Sequence, residues 1–164
     1  MATDMGEYLV DAYLKLIREC DFVDYNVRPP VGGREGMAEL DVVGLDFKTK
    51  TAYLCEVTTH LGGILYGKDN QTTLQVLRKK FERQQNYAAR YLTDFCTHHY
   101  QFWAPYVQEG DITEELRKLQ GWELVINANY AACVDALRQK ARNTIRDIGN
   151  PFFRALQILE HLRS

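Results

Sequence analysis

The chain has 164 residues, of which 46% are hydrophobic and 26% are charged, as in an ordinary globular protein with a hydrophobic core. Its 20 basic and 22 acidic side chains give a net charge of −2, which excludes the strongly basic composition of many nucleic-acid-binding modules. Nucleic-acid binding would therefore need a local basic patch.

Cysteine usage and the N-terminus indicate the compartment. The 4 cysteines stand singly along the chain without a C-x-x-C pair, which is typical of reduced thiols in the cytosol. The opening MATDMGEYLV lacks the basic and apolar segments of a secretory leader, and no run approaches the roughly 18 apolar residues of a membrane span. We expect a cytoplasmic protein without membrane contact, in which residues 1–164 form one domain.

The N-terminal third predicts one helix followed by three strands. Apolar residues recur at helical spacing up to Ile17, Thr3 or Asp4 could cap this helix, and Glu7 falls in its opening turns. A strand-like stretch, FVDYNV, ends before two prolines, and a glycine-rich loop that carries Arg34 follows. Two more strands are then predicted, at about 39–46 and 51–59.

The remainder of the chain predicts helices around two further strands. These elements are a long amphipathic helix at 69–92, strands at 98–107 and 122–129, a short helix near 112–120, and C-terminal helices at 130–146 and 151–162. The whole order favours an α/β fold, with a central mixed β-sheet flanked by helices.

Two carboxylates occupy matching positions in the predicted hairpin. If the strands turn around residues 48 and 49, three pairs face each other on one side of the sheet: Leu45–Ala52, Val43–Leu54 and Asp41–Glu56. Opposed like charges are destabilising, and a bridging divalent cation such as Mg²⁺ or Mn²⁺ would remove that penalty. Glu7 could add a third carboxylate. The alternative is that both acids lie at solvated strand ends, and a shift of one residue would place them on opposite faces.

The order of these acids resembles that of a known nuclease superfamily. Residues 4–107 present a helix with a glutamate (GEYLVDAYLKLI), an aspartate strand (ELDVVGLD), a glutamate strand (AYLCEVTTH), a helix and a strand. This pattern resembles the PD-(D/E)XK, or restriction-endonuclease-like, superfamily. The resemblance implies a magnesium-dependent endonuclease that hydrolyses DNA phosphodiester bonds. Asp41 and Glu56 would hold the metal, with Glu7 joining them through water.

The chain departs from the superfamily pattern at one position. The motif lysine, two residues after the glutamate, is replaced by Thr58, which cannot supply a cation. Some members recruit this lysine from the following helix. Lys80 is the candidate here because it borders the apolar stripe of that helix, whereas Lys79 is expected to point toward solvent. The alternative is a catalytically inactive member of the fold that binds nucleic acid or a protein partner.

Substrate contacts are expected from Arg34, Thr58, Gln84 and Tyr87. Gln84 and Tyr87 form a Gln-x-x-Tyr pattern that resembles a motif of the RecB-like branch, although Tyr87 could equally be a core residue. Arg34 belongs to the loop before the aspartate strand, where a phosphate could lie. The basic C-terminal helix at 130–146 offers an alternative backbone-binding face. The resemblance also implies a homodimer whose two sites reach both DNA strands, or a protein partner from the same system.

Overall fold

A computed structural model describes residues 3–30, 39–63 and 66–163 of the chain. The elements in these ranges are α1 (Met5–Leu16), β1 (Phe22–Val27), β2 (Leu40–Asp46), β3 (Thr51–Val57), α2 (Asn70–Tyr91), β4 (Thr97–Ala104), α3 (Asp111–Arg117), β5 (Trp122–Ile126), α4 (Asn127–Asn143) and α5 (Pro151–His161). The predicted order of helices and strands is confirmed. No helix within the described ranges is both long enough and apolar enough to cross a membrane.

The five strands form one mixed sheet in the order β1-β2-β3-β4-β5. The pairs β1–β2 and β2–β3 are antiparallel, whereas β3–β4 and β4–β5 are parallel, so each parallel pair needs a helical crossover. Leu45 faces Ala52 and Val43 faces Leu54, which confirms the register predicted for the hairpin. The prediction of an α/β fold with a mixed sheet is therefore confirmed.

Helices cover both faces of the sheet. One face packs against α1, α4 and α5 through a core that includes Leu14, Trp103 and Phe153. The other face packs against α2 and α3 through apolar residues such as Leu77 and Phe102. Because side chains alternate along each strand, neighbouring residues of β2 and β3 contribute to different cores.

The junction of β5 and α4 differs from the prediction. The strand ends at Ile126 and the helix begins at Asn127, whereas a strand to residue 129 was expected. Asn127 has a left-handed φ of 51°, and its side-chain amide accepts a bond from Val107 N (2.8 Å) and donates one to Val107 O (2.9 Å). This contact with the loop after β4 holds the turn that ends the strand.

Candidate active site

Asp41 and Glu56 lie where the sheet opens between β2 and β3. The β2–β3 pairing ends at Val42 and Cys55, while β3 stays paired with β4 as far as Val57. At the opening, the Asp41 carboxylate accepts a hydrogen bond from the backbone of β3, because Val57 N donates to Asp41 Oδ2 at 2.7 Å. The opening lies at the carboxyl end of a parallel strand, which is where open α/β sheets commonly bind ligands.

Lys80 of α2 contacts Glu56 directly. Val43 and Leu54 pack on the α2 side of the sheet, and alternation turns Asp41 and Glu56 toward the same side. Lys80 Nζ lies 2.6 Å from Glu56 Oε2, and the lysine side chain is 20% exposed. The structure thus brings together the two strand acids and the helix lysine singled out by the sequence, whereas Lys79 is exposed.

Glu56 is fully buried, and its two oxygens have different surroundings. Oε2 accepts the bond from Lys80, whereas Oε1 is buried without a hydrogen-bond partner in the described structure, and Arg83 Nη1 lies 4.0 Å away. Leaving a buried acceptor unpaired costs about 1–3 kcal/mol. Such an oxygen, next to a second carboxylate, fits the donor set of a hard divalent cation, so Asp41 and Glu56 are the residues that could hold one.

Burial and neighbouring charges set the ionisation of this pair. Burial raises the pKa of Glu56 to about 7, and the charge of Asp41 adds to this effect, whereas Lys80 opposes it. Burial alone would lower the pKa of Lys80, but the charge and hydrogen bond of Glu56, with the charge of Asp41, raise it on balance. Lys80 therefore stays a cation at neutral pH.

Glu7 approaches the site from the other side of the sheet. Gly6 permits this approach, since a Cβ there would lie 2.4 Å from Thr59 Cγ2, just beyond the end of β3. Glu7 Oε2 accepts a bond from Asp4 N (3.1 Å), which closes the capping box of α1. Burial raises the pKa of Glu7 to about 7, and the charge of Asp41 contributes.

The three predicted carboxylates do not form a converged metal-binding group. Among the described residues, no group of three or more histidine, cysteine, aspartate or glutamate side chains is arranged to hold a metal ion. The charge of Asp41 acts on Glu7 by helping to raise its pKa, and the predicted place of Glu7 as a third ligand stays a prediction.

Gln84 lies in the core rather than at the surface of the site. It is fully buried, and its amide donates to Leu54 O and Gln101 O, both at 2.9 Å. Its carbonyl oxygen accepts a bond from Trp122 Nε1 at 2.9 Å. These bonds use the side chain to join α2 to three strands, so Gln84 has no polar atom left for a substrate.

Tyr87 is partly buried and packs against an apolar cluster, in line with its core alternative. It contacts the apolar cluster that includes Leu40 and Val43, and its ring lies 5.0 Å from that of Tyr91. Arg34, the remaining predicted contact from the loop before β2, lies outside the described residues. The predicted substrate contact of Arg34 therefore stays a prediction.

Thr58 is buried beside a tyrosine that the sequence did not single out. Its backbone N–H donates to Trp103 O at 2.9 Å. Burial raises the pKa of the Tyr66 phenol, and the charges of Glu56 and Asp41 add to this effect, whereas the charge of Lys80 and a hydrogen bond with the Thr58 hydroxyl oppose it. Tyr66 is held in turn by Thr73, whose Oγ1 accepts from Tyr66 N at 3.0 Å.

Two site residues were missed by sequence reasoning. Tyr66 lies in the connection between β3 and α2 and carries no periodic signal that would place it beside Thr58. Arg83 stands three residues after Lys80 on α2, and that helical spacing could have indicated it. Arg83 Nη1 donates to Glu39 O at 3.2 Å and is the second cation near Glu56.

The basic C-terminal helix uses two of its cations internally. Arg138 Nε and Arg142 Nε lie 2.7 Å and 2.6 Å from the two carboxylate oxygens of Glu160 on α5. These bonds lower the pKa of Glu160 to about 2. The two arginines therefore join α4 to α5, which leaves fewer positive charges for a backbone-binding face.

Comparisons of the chain with protein-family models, with curated proteins and with solved structures each gave no match.

Proposed function

We propose that the protein is a divalent-metal-dependent nuclease of the PD-(D/E)XK type, with a restriction-endonuclease-like fold, which hydrolyses DNA phosphodiester bonds. The observation that carries the proposal is the contact of 2.6 Å between Lys80 Nζ and the buried Glu56. This contact lies near the carboxyl end of β3, beside Asp41 of β2. Lys80 of α2 would supply the cation that Thr58, at the motif position, cannot supply.

The roles of the residues follow from their positions. Asp41 and Glu56 would hold Mg²⁺ or Mn²⁺, which when bound polarises a phosphate and lowers the pKa of a bound water. Lys80 is protonated and largely buried, so its charge can stabilise negative charge that develops on the phosphate. Because Glu56 has a pKa of about 7, we expect cleavage to rise with pH through that value as the metal ligand deprotonates.

Thr58 favours a second candidate function. It is 6% exposed and already engaged with Trp103 and Tyr66, so position 58 contributes no charge to the site. A protein that uses Lys80 only to neutralise Glu56 would bind nucleic acid or a protein partner without cutting.

Cleavage assays on plasmid, linear and single-stranded DNA with Mg²⁺ or Mn²⁺ test the proposal. We expect metal-dependent cutting by the wild type and a loss of roughly a hundredfold or more in both Asp41→Ala and Glu56→Ala. Asp94→Ala is the matched control, because Asp94 is an exposed carboxylate outside the site. Cutting that persists unchanged in both site variants would refute the nuclease centre. Absence of cutting by the wild type would favour the second candidate.

A further inference from the structure

Arg83 is only partly used by the protein itself. Its side chain is 34% exposed, and of its five N–H donors one is bonded within the described structure, to Glu39 O at 3.2 Å. Its approach to Glu56 Oε1, at 4.0 Å, is too long for a hydrogen bond. A planar guanidinium with free donors at the rim of an acidic site is suited to a bidentate anion.

The charge balance of the site indicates which anion would bind. Lys80 and Arg83 balance the two carboxylates of Asp41 and Glu56. If both carboxylates bind a divalent cation, two positive charges become uncompensated, and Glu7 on the opposite face offsets at most one of them. A site that has no net positive charge without metal therefore becomes attractive to a phosphodiester when metal is bound.

We propose that Arg83 is a substrate-binding residue that contacts a backbone phosphate of the nucleic acid next to the phosphate approached by Lys80. The inference rests on the proposed function, since it takes DNA as the substrate. Arg83 stands one helical turn from Lys80 along α2, so the two cations form a short row suited to successive positions on one strand. In this role Arg83 contacts no base, so it confers no sequence preference.

DNA binding, measured apart from cleavage, tests this role. A labelled DNA duplex is titrated with protein in Ca²⁺, as a replacement for Mg²⁺, and fluorescence anisotropy is followed at several salt concentrations. In Arg83→Gln we expect affinity to fall roughly tenfold and the slope of log affinity against log salt to shrink by about 1. Arg83→Lys should keep most of the salt slope, because it keeps the charge. Arg90→Gln, an exposed arginine at the end of α2, is the control.

Each outcome separates this inference from the nuclease proposal. A purely structural Arg83 would lower the melting temperature in Arg83→Gln and leave the salt slope unchanged, which overturns the inference even if the wild type cuts DNA. A wild type that binds DNA through Arg83 but never cuts with Mg²⁺ supports the inference and refutes the nuclease. A wild type that does not bind DNA in Ca²⁺ overturns the inference.

Discussion

Lys80 lies on helix α2 and contacts Glu56, whereas Thr58, just after the end of β3, carries no charge. We expect Lys80→Met to lose most metal-dependent cleavage, because the buried site would lack its cation, while Asp41 and Glu56 still bind metal. The variant should also melt at a lower temperature without metal, since removing one partner of a buried pair costs about 3–5 kcal/mol when the other stays charged. Lys79→Met, at an exposed neighbour, should cut and melt like the wild type. Equal cleavage rates in the two variants would leave Lys80 without a catalytic role.

Glu7 gives the protein a stability that depends on pH. Its pKa rises from an ordinary value of 4.5 to about 7 in the folded protein, so folding takes up a proton between these values. The favourable contribution of protonated Glu7 is therefore present below about pH 4.5 and is lost as the pH rises to about 7.

The variant Glu7→Gln should remove this dependence. The glutamine oxygen can still accept the bond from Asp4 N, so the capping box is preserved. We expect the variant to match the wild type near pH 4.5 and to exceed its free energy of unfolding by about 3 kcal/mol at pH 8. Urea unfolding at both pH values measures this, with the exposed Glu82→Gln as control. A constant difference between the two pH values would contradict the assignment.

Sequence periodicity could predict some of the site residues but not others. Strand alternation and the hairpin turn are local, so the register that sets Asp41 opposite Glu56 and the side of α2 that carries Lys80 were both predictable. Gln84 was not, because its three partners lie on separate strands and its burial depends on tertiary packing. The position of Glu7 on a helix was predictable, whereas its approach from the opposite face depends on the contact at Gly6.

A buried set of hydrogen bonds joins helix α5 to helix α1. Asn150 caps α5 by accepting from Phe153 N at 2.8 Å, and its amide donates to Asp11 Oδ2 (2.6 Å) and Tyr8 O (2.8 Å). Asp11 is 1% exposed, so the hydrogen bond from the Asn150 amide supplies a partner to a buried carboxylate. These hydrogen bonds hold the C-terminal helix α5 against the first helix α1, although the two helices are far apart in sequence.

We expect Asn150→Ala to destabilise the protein by about 2–3 kcal/mol, because it removes a helix cap and leaves Asp11 with fewer partners. Thermal or urea unfolding measures the change. Asn143→Ala, at an exposed asparagine at the end of α4, should be close to neutral. Equal effects of the two substitutions would show that the link contributes little.

Two helix starts could be read from the sequence. Asp4, one of the two candidate caps, caps α1, and α5 begins at Pro151, where the sequence predicts a helix. The early end of β5 could not be predicted, because it depends on the bond between Asn127 and Val107, which are distant in sequence.

The opening between β2 and β3 lies between two helical layers of the protein, and each layer supplies charged groups. The α2 layer supplies Lys80 and Arg83, whereas the α1 layer supplies Glu7. Two of these neighbours, Lys80 and Arg83, favour ionised Glu56, and burial opposes it. A divalent cation would therefore bind in competition with protons, and more tightly at pH 8 than at pH 6.

We propose that Asp41 and Glu56 together form a divalent metal site. Titration of the wild type with Mn²⁺ at pH 8, with free Mn²⁺ followed by electron paramagnetic resonance, tests it without requiring a known substrate. We predict saturable binding by the wild type and by Asp94→Ala, and its loss in both Asp41→Ala and Glu56→Ala. Binding of equal affinity in all four proteins, or no saturable binding by the wild type, would contradict the claim.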